Sequence, residues 1–206
     1  MDGPTIVFQI VVLILSAVIH EVSHGLMAEK LGDPTARNAG RLTLNPLKHL
    51  DAYGSFFLPL VLILVKSPVI LGWAKPVPFD PRNLKNPAKG AALIALAGPL
   101  SNIAIAILVS IVFRIFFVSQ IGTVTTFLLM GYVIEINILL AFFNLIPIPP
   151  LDGSKLLYPL FPRIRPEILA FLERYGILFV LAFILFGGDA FLGPLVRTTL
   201  RFLVGS

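Results

Sequence analysis

The chain has 206 residues, 57% of them hydrophobic and 13% charged, with a mean hydropathy of +0.93. A soluble domain is about half apolar and about a quarter charged, so much of this apolar surface must face lipid and the chain is a polytopic membrane protein. It has no cysteine, which excludes disulfides and thiolate metal sites. The net charge of +5 comes from Lys and Arg near the ends of apolar runs, which fits a membrane surface better than nucleic acid.

The first apolar run, residues 6–28, predicts a transmembrane helix in which Glu21 is the single charged side chain. No basic segment precedes the run, so we expect it to be retained as a working span and not cleaved as a signal peptide. The polar cluster HEVSH (20–24) lies near its end. An ionisable group inside a span costs about 2.5 to 3.5 kcal/mol on insertion scales, so we interpret the cluster as functional and not as a structural accident.

The spacing within this cluster points to zinc chemistry. His20 and His24 are four residues apart on one helical face, where both imidazoles can bind one Zn²⁺ at about 2.0 to 2.1 Å. Glu21 lies about 100° around the helix and can act as a general base without ligating the metal. In this HExxH pattern zinc lowers the pKa of water from about 15.7 to about 7, and the glutamate takes the proton.

Polar and apolar segments alternate after the first span. Residues 40–45, GRLTLN, alternate briefly and predict a short strand near the membrane surface. Residues 54–71 have basic flanks on both sides, which favours a re-entrant dip into the membrane, although two closely spaced spans would also satisfy the charge rule. A proline-rich basic loop follows at 73–90.

The second half of the chain predicts further membrane helices. Residues 91–113 and 123–146 are clear spans, and 168–187 is another with charges in its first half. The tail is either a weak last span or an interfacial helix. The sequence therefore predicts an all-α bundle of about four to six transmembrane helices, with a short strand or re-entrant segment, in a single membrane domain of residues 1–206.

The distribution of Lys and Arg predicts the orientation of the bundle. Basic residues gather in three segments, 29–53, 73–90 and 155–165, whereas the links before residue 6 and at 117–122 have none. By the positive-inside rule the N-terminus lies outside a cell membrane and the first span ends in the cytoplasm. The HEVSH cluster is then expected toward the cytoplasmic side.

A catalytic zinc site usually has three protein ligands and one open position, so a third ligand must come from elsewhere in the chain. Asp152 stands out because FNLIPIPPLDG places it just after a helix broken by prolines, and irregular backbone at membrane depth is tolerated where it lines a cavity. From the residues alone, an ordinary loop leaving the membrane is an equal alternative. The other candidates are His49, Glu29, Asp33, Asp51, Asp80 and Glu135. For His49 and Asp51 a solvated interfacial loop is the stronger interpretation.

Three motifs taken together resemble the site-2 protease family of intramembrane zinc metalloproteases, in its short form without PDZ or CBS domains. They are HEVSHG (20–25), AGPLSN (97–102) and NLIPIPPLDG (144–153). The resemblance covers a core of residues 6–160, which leaves accessory helices at 167–206. It implies one Zn²⁺ per chain. It also implies metal ligation by His20, His24 and Asp152, general base catalysis by Glu21, and substrate binding by Asn144, Asn102 and Asn137.

The expected activity is hydrolysis of peptide bonds inside the bilayer, with transmembrane helices of other membrane proteins as substrates and no nucleic-acid partner. Two other classes of protein fit parts of the sequence. One is a membrane zinc transporter or sensor, which needs no base, so Glu21 beside the first histidine argues against it. The other is a non-catalytic scaffold that binds helices, and the presence of every motif residue argues against that.

Overall fold

The computed structural model describes residues 3–49, 75–161 and 163–205. The predicted re-entrant segment at 54–71 and Asp51 lie outside these residues. In the described parts of the chain short 3-10 helices form at Pro46–Lys48, Pro81–Asn83 and Asp152–Leu156. The α-helices are α1 (Gly3–Lys30), α2 (Thr35–Asn38), α3 (Pro87–Val118), α4 (Val124–Asn144), α5 (Leu157–Leu160), α6 (Pro166–Phe186) and α7 (Gly188–Val204).

The predicted all-α membrane fold is confirmed. Four helices of the described residues are long and apolar enough to cross a membrane, namely α1, α3, α4 and Glu167–Phe186 of α6. Their 18-residue apolar windows have a mean hydropathy of 2.0 to 2.3. Helix α7 has 17 residues and includes Arg197 and Arg201, so it is shorter and more polar than these four.

The short strand predicted for residues 40–45 does not form. A strand is stabilised by a ladder to a neighbouring strand, and no other described segment pairs with this one. Its polar groups instead make local contacts. The Arg41 N–H donates to the Ala36 carbonyl at 3.0 Å, and the Asn45 side chain accepts the Leu47 N–H at 3.1 Å. The alternation of GRLTLN therefore belongs to a turn-rich connection between α2 and Pro46–Lys48.

Side-chain caps define where α3 and α4 begin. The Asn86 side chain accepts the Lys89 N–H at 3.1 Å, and Pro87 occupies the first turn, where its missing N–H costs nothing. At α4, Thr123 and Thr126 form a reciprocal capping box, each side chain accepting the other's backbone N–H at 3.2 Å. Each cap thus satisfies one of the free backbone donors in the first turn of its helix.

Helices α1 and α3 pack in opposite directions along two stripes of residues at four-residue spacing. Ser16, His20 and His24 of α1 face Asn102, Gly98 and Ile94 of α3, in that order. Residues four apart lie on one side of a helix, so each stripe is a continuous contact surface. Helix α4 closes this pair from a third side and buries Ile134, Asn137, Ile138 and Ala141.

The far half of α3 packs differently. A cluster of buried apolar residues joins α3, α4 and α7, and its members are Ala106, Ile134, Ile138 and Val196. Arg114 near the end of α3 donates to the Leu203 and Phe202 carbonyls at 2.6 and 2.5 Å, so the two helices end at the same level. Helix α7 is therefore packed along the bundle and runs parallel to α3.

Two connections bring distant residues to the α1–α3 contact. After α4 the chain folds back tightly, and a Cβ at Gly153 would lie 2.2 Å from the Leu145 carbonyl oxygen, so only glycine fits there. The segment 75–83 is tied to the end of α1 by Asp33, which accepts the Asp80 N–H at 2.6 Å. Arg41 also donates to the Lys75 carbonyl of this segment at 2.8 Å.

Candidate metal centre

Three side chains from two distant parts of the chain converge beside the α1–α3 contact. The Nε2 atom of His20 lies 3.0 Å from Asp152 Oδ2, and that of His24 lies 3.2 Å from the same oxygen. The two imidazoles meet edge to face, with ring centroids 4.6 Å apart. One ligand atom from each residue lies within 4.8 Å of the others. Both histidines are buried and Asp152 is partly buried.

The hydrogen bond on the far side of His24 defines its tautomer. His24 Nδ1 lies 2.7 Å from the Ile94 carbonyl oxygen of α3. A carbonyl oxygen accepts and never donates, so Nδ1 must carry a proton. In a neutral imidazole the other nitrogen then has no proton, and the Nε2 lone pair points toward Asp152.

His20 has the same arrangement, with a side-chain acceptor in place of the carbonyl. Its Nδ1 lies 2.6 Å from Asn102 Oδ1. The amide orientation of Asn102 follows from its other end, where Nδ2 lies 3.3 Å from the Ser16 carbonyl oxygen and must be the donor. Oδ1 is therefore the acceptor, and in its neutral form His20 also presents an unprotonated Nε2.

This donor set fits a metal ion. Two imidazole nitrogens and a carboxylate oxygen that converge within about 3 Å can hold a cation between them. Ligands held about 2.0 to 2.1 Å from a tetrahedral Zn²⁺ lie about 3.3 Å from one another, close to the separations observed here. Histidine ligands in zinc sites commonly donate their second ring N–H to an oxygen, as both do here. The residues present therefore suit zinc.

Gly98 forms the wall behind the two imidazoles. A Cβ at this position would lie 2.5 Å from His20 Nε2 and 2.6 Å from His24 Nε2. Real Cβ atoms do not approach other heavy atoms this closely, so any larger residue would displace one or both rings. The glycine of AGPLSN thus leaves room for the metal-facing edges of both histidines.

Glu21 is held beside the site by the proline-rich segment 75–79. Its Oε2 accepts the Val77 N–H at 2.9 Å. Val77 lies between Pro76 and Pro78, neither of which has an N–H, so within KPVP only Lys75 and Val77 can donate from the backbone. Lys75 donates to the His49 carbonyl at 2.8 Å. The local sequence therefore leaves the Val77 N–H to orient Glu21.

The other candidate ligands within the described residues have different partners. His49 is buried, and its Nε2 lies 2.8 Å from the Thr43 carbonyl oxygen. Glu29 pairs with Arg37, Asp80 pairs with Arg82, and Glu135 lies exposed on α4. Asp33 accepts the Thr35 N–H at the start of α2 and bonds to the 80–83 segment. Among the described histidines and carboxylates, His20, His24 and Asp152 are the group whose ligand atoms meet.

The three asparagines predicted to bind substrate lie in different surroundings. Asn144 ends α4 partly exposed, and its Nδ2 donates to the Leu140 carbonyl at 2.9 Å. Asn102 and Asn137 are fully buried and bond to each other, with Asn102 Nδ2 2.9 Å from Asn137 Oδ1. The substrate role remains a prediction for all three.

Several residues of the site were not singled out from the sequence. Ser16 precedes His20 by four residues, and the Ile94 carbonyl precedes Asn102 by eight. This spacing on both helices is a signal that could have placed them on the same faces. For Val77 no such signal exists, because its contact with Glu21 joins residues 56 apart in the sequence.

Comparison with known proteins agrees with this geometry. The chain matches the family model described as "Peptidase family M50" over residues 8–125 and 117–188. The chain belongs to peptidase family M50. This is the site-2 protease family, so the predicted family is confirmed. No solved structure matches this chain significantly.

Relatives from bacteria and archaea share parts of the sequence. "Putative zinc metalloprotease YwhC" of Bacillus subtilis (strain 168) is 35% identical over 196 residues, which cover 92% of this chain and 86% of that protein. "Putative zinc metalloprotease Rip2" of Mycolicibacterium smegmatis is 28% identical over 175 residues, covering 84% of this chain and 64% of that protein. "Putative zinc metalloprotease MJ0611" of Methanocaldococcus jannaschii is 45% identical over 65 residues, 31% of each chain. The M50 chain described here is thus similar along nearly its whole length to a bacterial relative.

Proposed function

We propose that this M50 protein is a zinc-dependent endopeptidase that cleaves peptide bonds in or near transmembrane helices of other membrane proteins. The observation that carries the proposal is the meeting of three acceptor atoms, His20 Nε2, His24 Nε2 and Asp152 Oδ2, beside α1, a helix apolar enough to span a membrane. Glu21 lies beside the first of them in the chain. A metal site with an adjacent base is what hydrolysis requires and what simple metal storage does not.

Each group at the site has a separate role in the proposed hydrolysis. When bound, zinc supplies Lewis acidity toward the peptide carbonyl and toward water. Glu21 takes the proton of the attacking water and delivers it to the leaving amine, which balances the reaction. The Val77 N–H bonds Oε2 of Glu21 at 2.9 Å and so fixes the direction of the carboxylate. Burial of both imidazoles keeps bulk water away from the ligands.

The substrate must present an unwound backbone to this site. A peptide inside an α-helix has its carbonyl bonded within the helix, so the bond to be cleaved must first leave that conformation. Asn144 lies where α4 ends and the segment leading to Asp152 begins. The side-chain nitrogen of Asn144, Nδ2, donates within α4. Among the described residues the side-chain oxygen, Oδ1, has no partner. We infer that this oxygen accepts an N–H from the unwound substrate.

The proposed setting is a cell membrane with the N-terminus outside and the metal centre toward the cytoplasm. Basic residues at the ends of the spans support this orientation through the positive-inside rule. His20 is the eighteenth residue of α1, about 26 Å along the helix from Gly3. Labelling of single introduced cysteines from each side of intact cells would test the orientation, since the chain has no cysteine of its own.

The proposed activity is tested by zinc content and cleavage measured on the same detergent-purified samples. Substrates would be a panel of single-span helices of differing helix stability. We expect about one zinc per chain. For Glu21→Gln we expect the same zinc content and a rate reduced by about 100-fold or more, because a general base contributes about 10² to 10⁴. Asp152→Ala should lose both metal and cleavage.

Glu135→Gln is the matched control. Glu135 is also a glutamate in a spanning helix, but it is exposed and lies outside the group of ligand atoms. Its substitution should change neither zinc content nor rate. If zinc binds and no helix is cleaved, or if Glu21→Gln cleaves as fast as the unaltered protein, the proteolytic function is wrong. A transporter, a sensor or a scaffold would then have to be considered instead.

A further inference from the structure

A chain of buried polar groups leads from His20 into the interior between α1, α3 and α4. Asn102 and Asn137 are fully buried, and Ser16 is 4% exposed. Asn102 accepts from His20 Nδ1 at 2.6 Å and donates to Asn137 Oδ1 at 2.9 Å. Asn137 in turn donates to Ser16 Oγ at 3.0 Å. Each of the three helices thus contributes one side chain.

The direction of every hydrogen bond in this chain follows from two backbone carbonyls. Asn137 Nδ2 lies 2.8 Å from the Val133 carbonyl oxygen, and Asn102 Nδ2 lies 3.3 Å from the Ser16 carbonyl oxygen. Both nitrogens must therefore donate, which turns Asn137 Oδ1 toward Asn102 and Asn102 Oδ1 toward His20. An Asn102 amide turned the other way would set its NH₂ donors against the His20 Nδ1–H.

We propose that Asn102 and Asn137 are positioning residues that lock His20 in the tautomer with its proton on Nδ1. Asn102 acts directly, as the acceptor of that proton. Asn137 acts through Asn102, since its Oδ1 keeps the amide from turning over. The consequence is that the Nε2 lone pair of His20 faces His24 and Asp152 permanently. This inference concerns the metal-binding side of the proposed function and does not require cleavage to be observed.

The energetics favour such a role over simple attachment of the helices. Interhelical hydrogen bonds between membrane helices add little stability on average, although burying two amides is costly. Outer-shell partners of metal ligands, by contrast, typically account for a 10-fold to 100-fold change in metal affinity. The two histidines also differ in the type of group that accepts their Nδ1 proton. His24 uses the Ile94 carbonyl, which no substitution removes, whereas His20 depends on a side chain.

The test compares zinc affinity in Asn102→Leu and Asn102→Asp by competition with a chromogenic chelator. Both changes disturb the buried network and should lower the melting temperature. Leucine also removes the acceptor for His20 Nδ1–H, so we expect zinc affinity to fall about 10-fold to 100-fold. Aspartate keeps an acceptor there, so we expect affinity within about 3-fold of the unaltered protein despite the lost stability. A merely structural role would make affinity follow melting temperature in both variants.

Asn137→Leu tests the indirect step. Its loss of affinity should be smaller than that of Asn102→Leu, and the double variant should bind zinc as weakly as Asn102→Leu alone, because Asn137 acts only through Asn102. Ser110→Ala is the matched control on α3. Ser110 is also buried, but among the described residues its side chain bonds only to the Ile107 carbonyl of its own helix, at 2.8 Å. Its zinc affinity should be unchanged.

Nitrogen-15 NMR of labelled histidine reads the tautomer directly in the zinc-loaded protein. The chain has only three histidines, so the signals can be assigned with single substitutions. In the unaltered protein His20 should show a protonated Nδ1 and a metal-bound Nε2. The proposal is overturned if Asn102→Leu keeps full zinc affinity, if Asn102→Asp loses as much affinity as Asn102→Leu, or if His20 binds zinc through Nδ1. Lack of cleavage with these affinities intact would count against the proteolytic function alone.

Discussion

Helix α3 makes two contacts of opposite character along its length. Its first half lies against α1 through hydrogen bonds and close approach, with the Ile94 carbonyl, Gly98 and Asn102 meeting His24 and His20. Its second half packs against α4 and α7 through apolar side chains. In lipid, apolar packing alone can hold helices together, and buried polar groups add cost unless each is paired. The polar half therefore reflects the needs of the metal centre, while the apolar half serves assembly of the bundle.

The largest effect is expected where the polar contact is tightest. Gly98→Ala places a Cβ within 2.6 Å of both Nε2 atoms, so the imidazoles must move and zinc should be lost together with cleavage. Gly131→Ala is the control, because a Cβ there would have no heavy atom of the described residues within 4 Å, although Gly131 is also a glycine in a spanning helix. Metal analysis after dialysis distinguishes the two. Equal zinc contents in both variants would contradict the assigned role of Gly98.

A smaller effect is expected at the segment that orients Glu21. Val77→Pro removes the N–H that bonds Glu21 Oε2 and should lower the turnover number about 10-fold, with zinc content unchanged. Val77→Ala keeps the N–H and trims only the side chain, so its turnover number should remain close to that of the unaltered protein. Steady-state kinetics on one cleaved helix provides the measurement. If the alanine variant is as slow as the proline variant, packing of Val77 and not its N–H positions the base.

The hydrogen bonds that join Asp33 to the segment 75–83 should make the stability of the protein depend on pH. Burial raises the pKa of Asp33, but hydrogen bonds from Thr35, Asn83 and the Asp80 N–H outweigh this and bring the pKa below its usual value. A carboxyl group with a lowered pKa stabilises the fold above about pH 3.9, and the stabilisation is lost as the pH falls through the lowered value. The Asp33→Asn variant should therefore melt at a lower temperature than the unaltered protein near pH 7. The difference between the two melting temperatures should shrink below about pH 4. A difference in melting temperature that does not change with pH would show that the charge of Asp33 does not stabilise the fold.

The smallest effect is expected in the apolar contact. Ile134→Val removes one methyl group from a fully buried position and should lower the free energy of unfolding by about 0.5 to 1.5 kcal/mol while leaving zinc affinity unchanged. Ile107→Val is the control, since Ile107 is 41% exposed on α3. Thermal unfolding in detergent and the chelator assay give the two readings. A loss of zinc affinity in Ile134→Val would show that the two contacts of α3 are coupled.

Local patterns in the sequence predicted much of the site because a helix repeats on a fixed period. His20, Glu21 and His24 could be placed on α1 from their spacing alone, and the apolar runs predicted the four long helices. Asp152 was a candidate from the broken helix before it, and the family resemblance named it as a ligand. The strand at 40–45 was predicted wrongly because alternation over six residues says nothing about whether a partner strand exists.

The sequence by itself determined that this is a membrane protein with an HExxH pattern on its first helix, since composition and helical spacing depend only on neighbouring residues. Tertiary structure decided which groups meet. The register between α1 and α3 places Ser16, His20 and His24 opposite Asn102, Gly98 and Ile94, and the fold-back at Gly153 brings Asp152 within 3.2 Å of both histidines. Contacts between residues 56 to 132 positions apart depend on how helices slide and rotate against one another, and no local pattern encodes that choice.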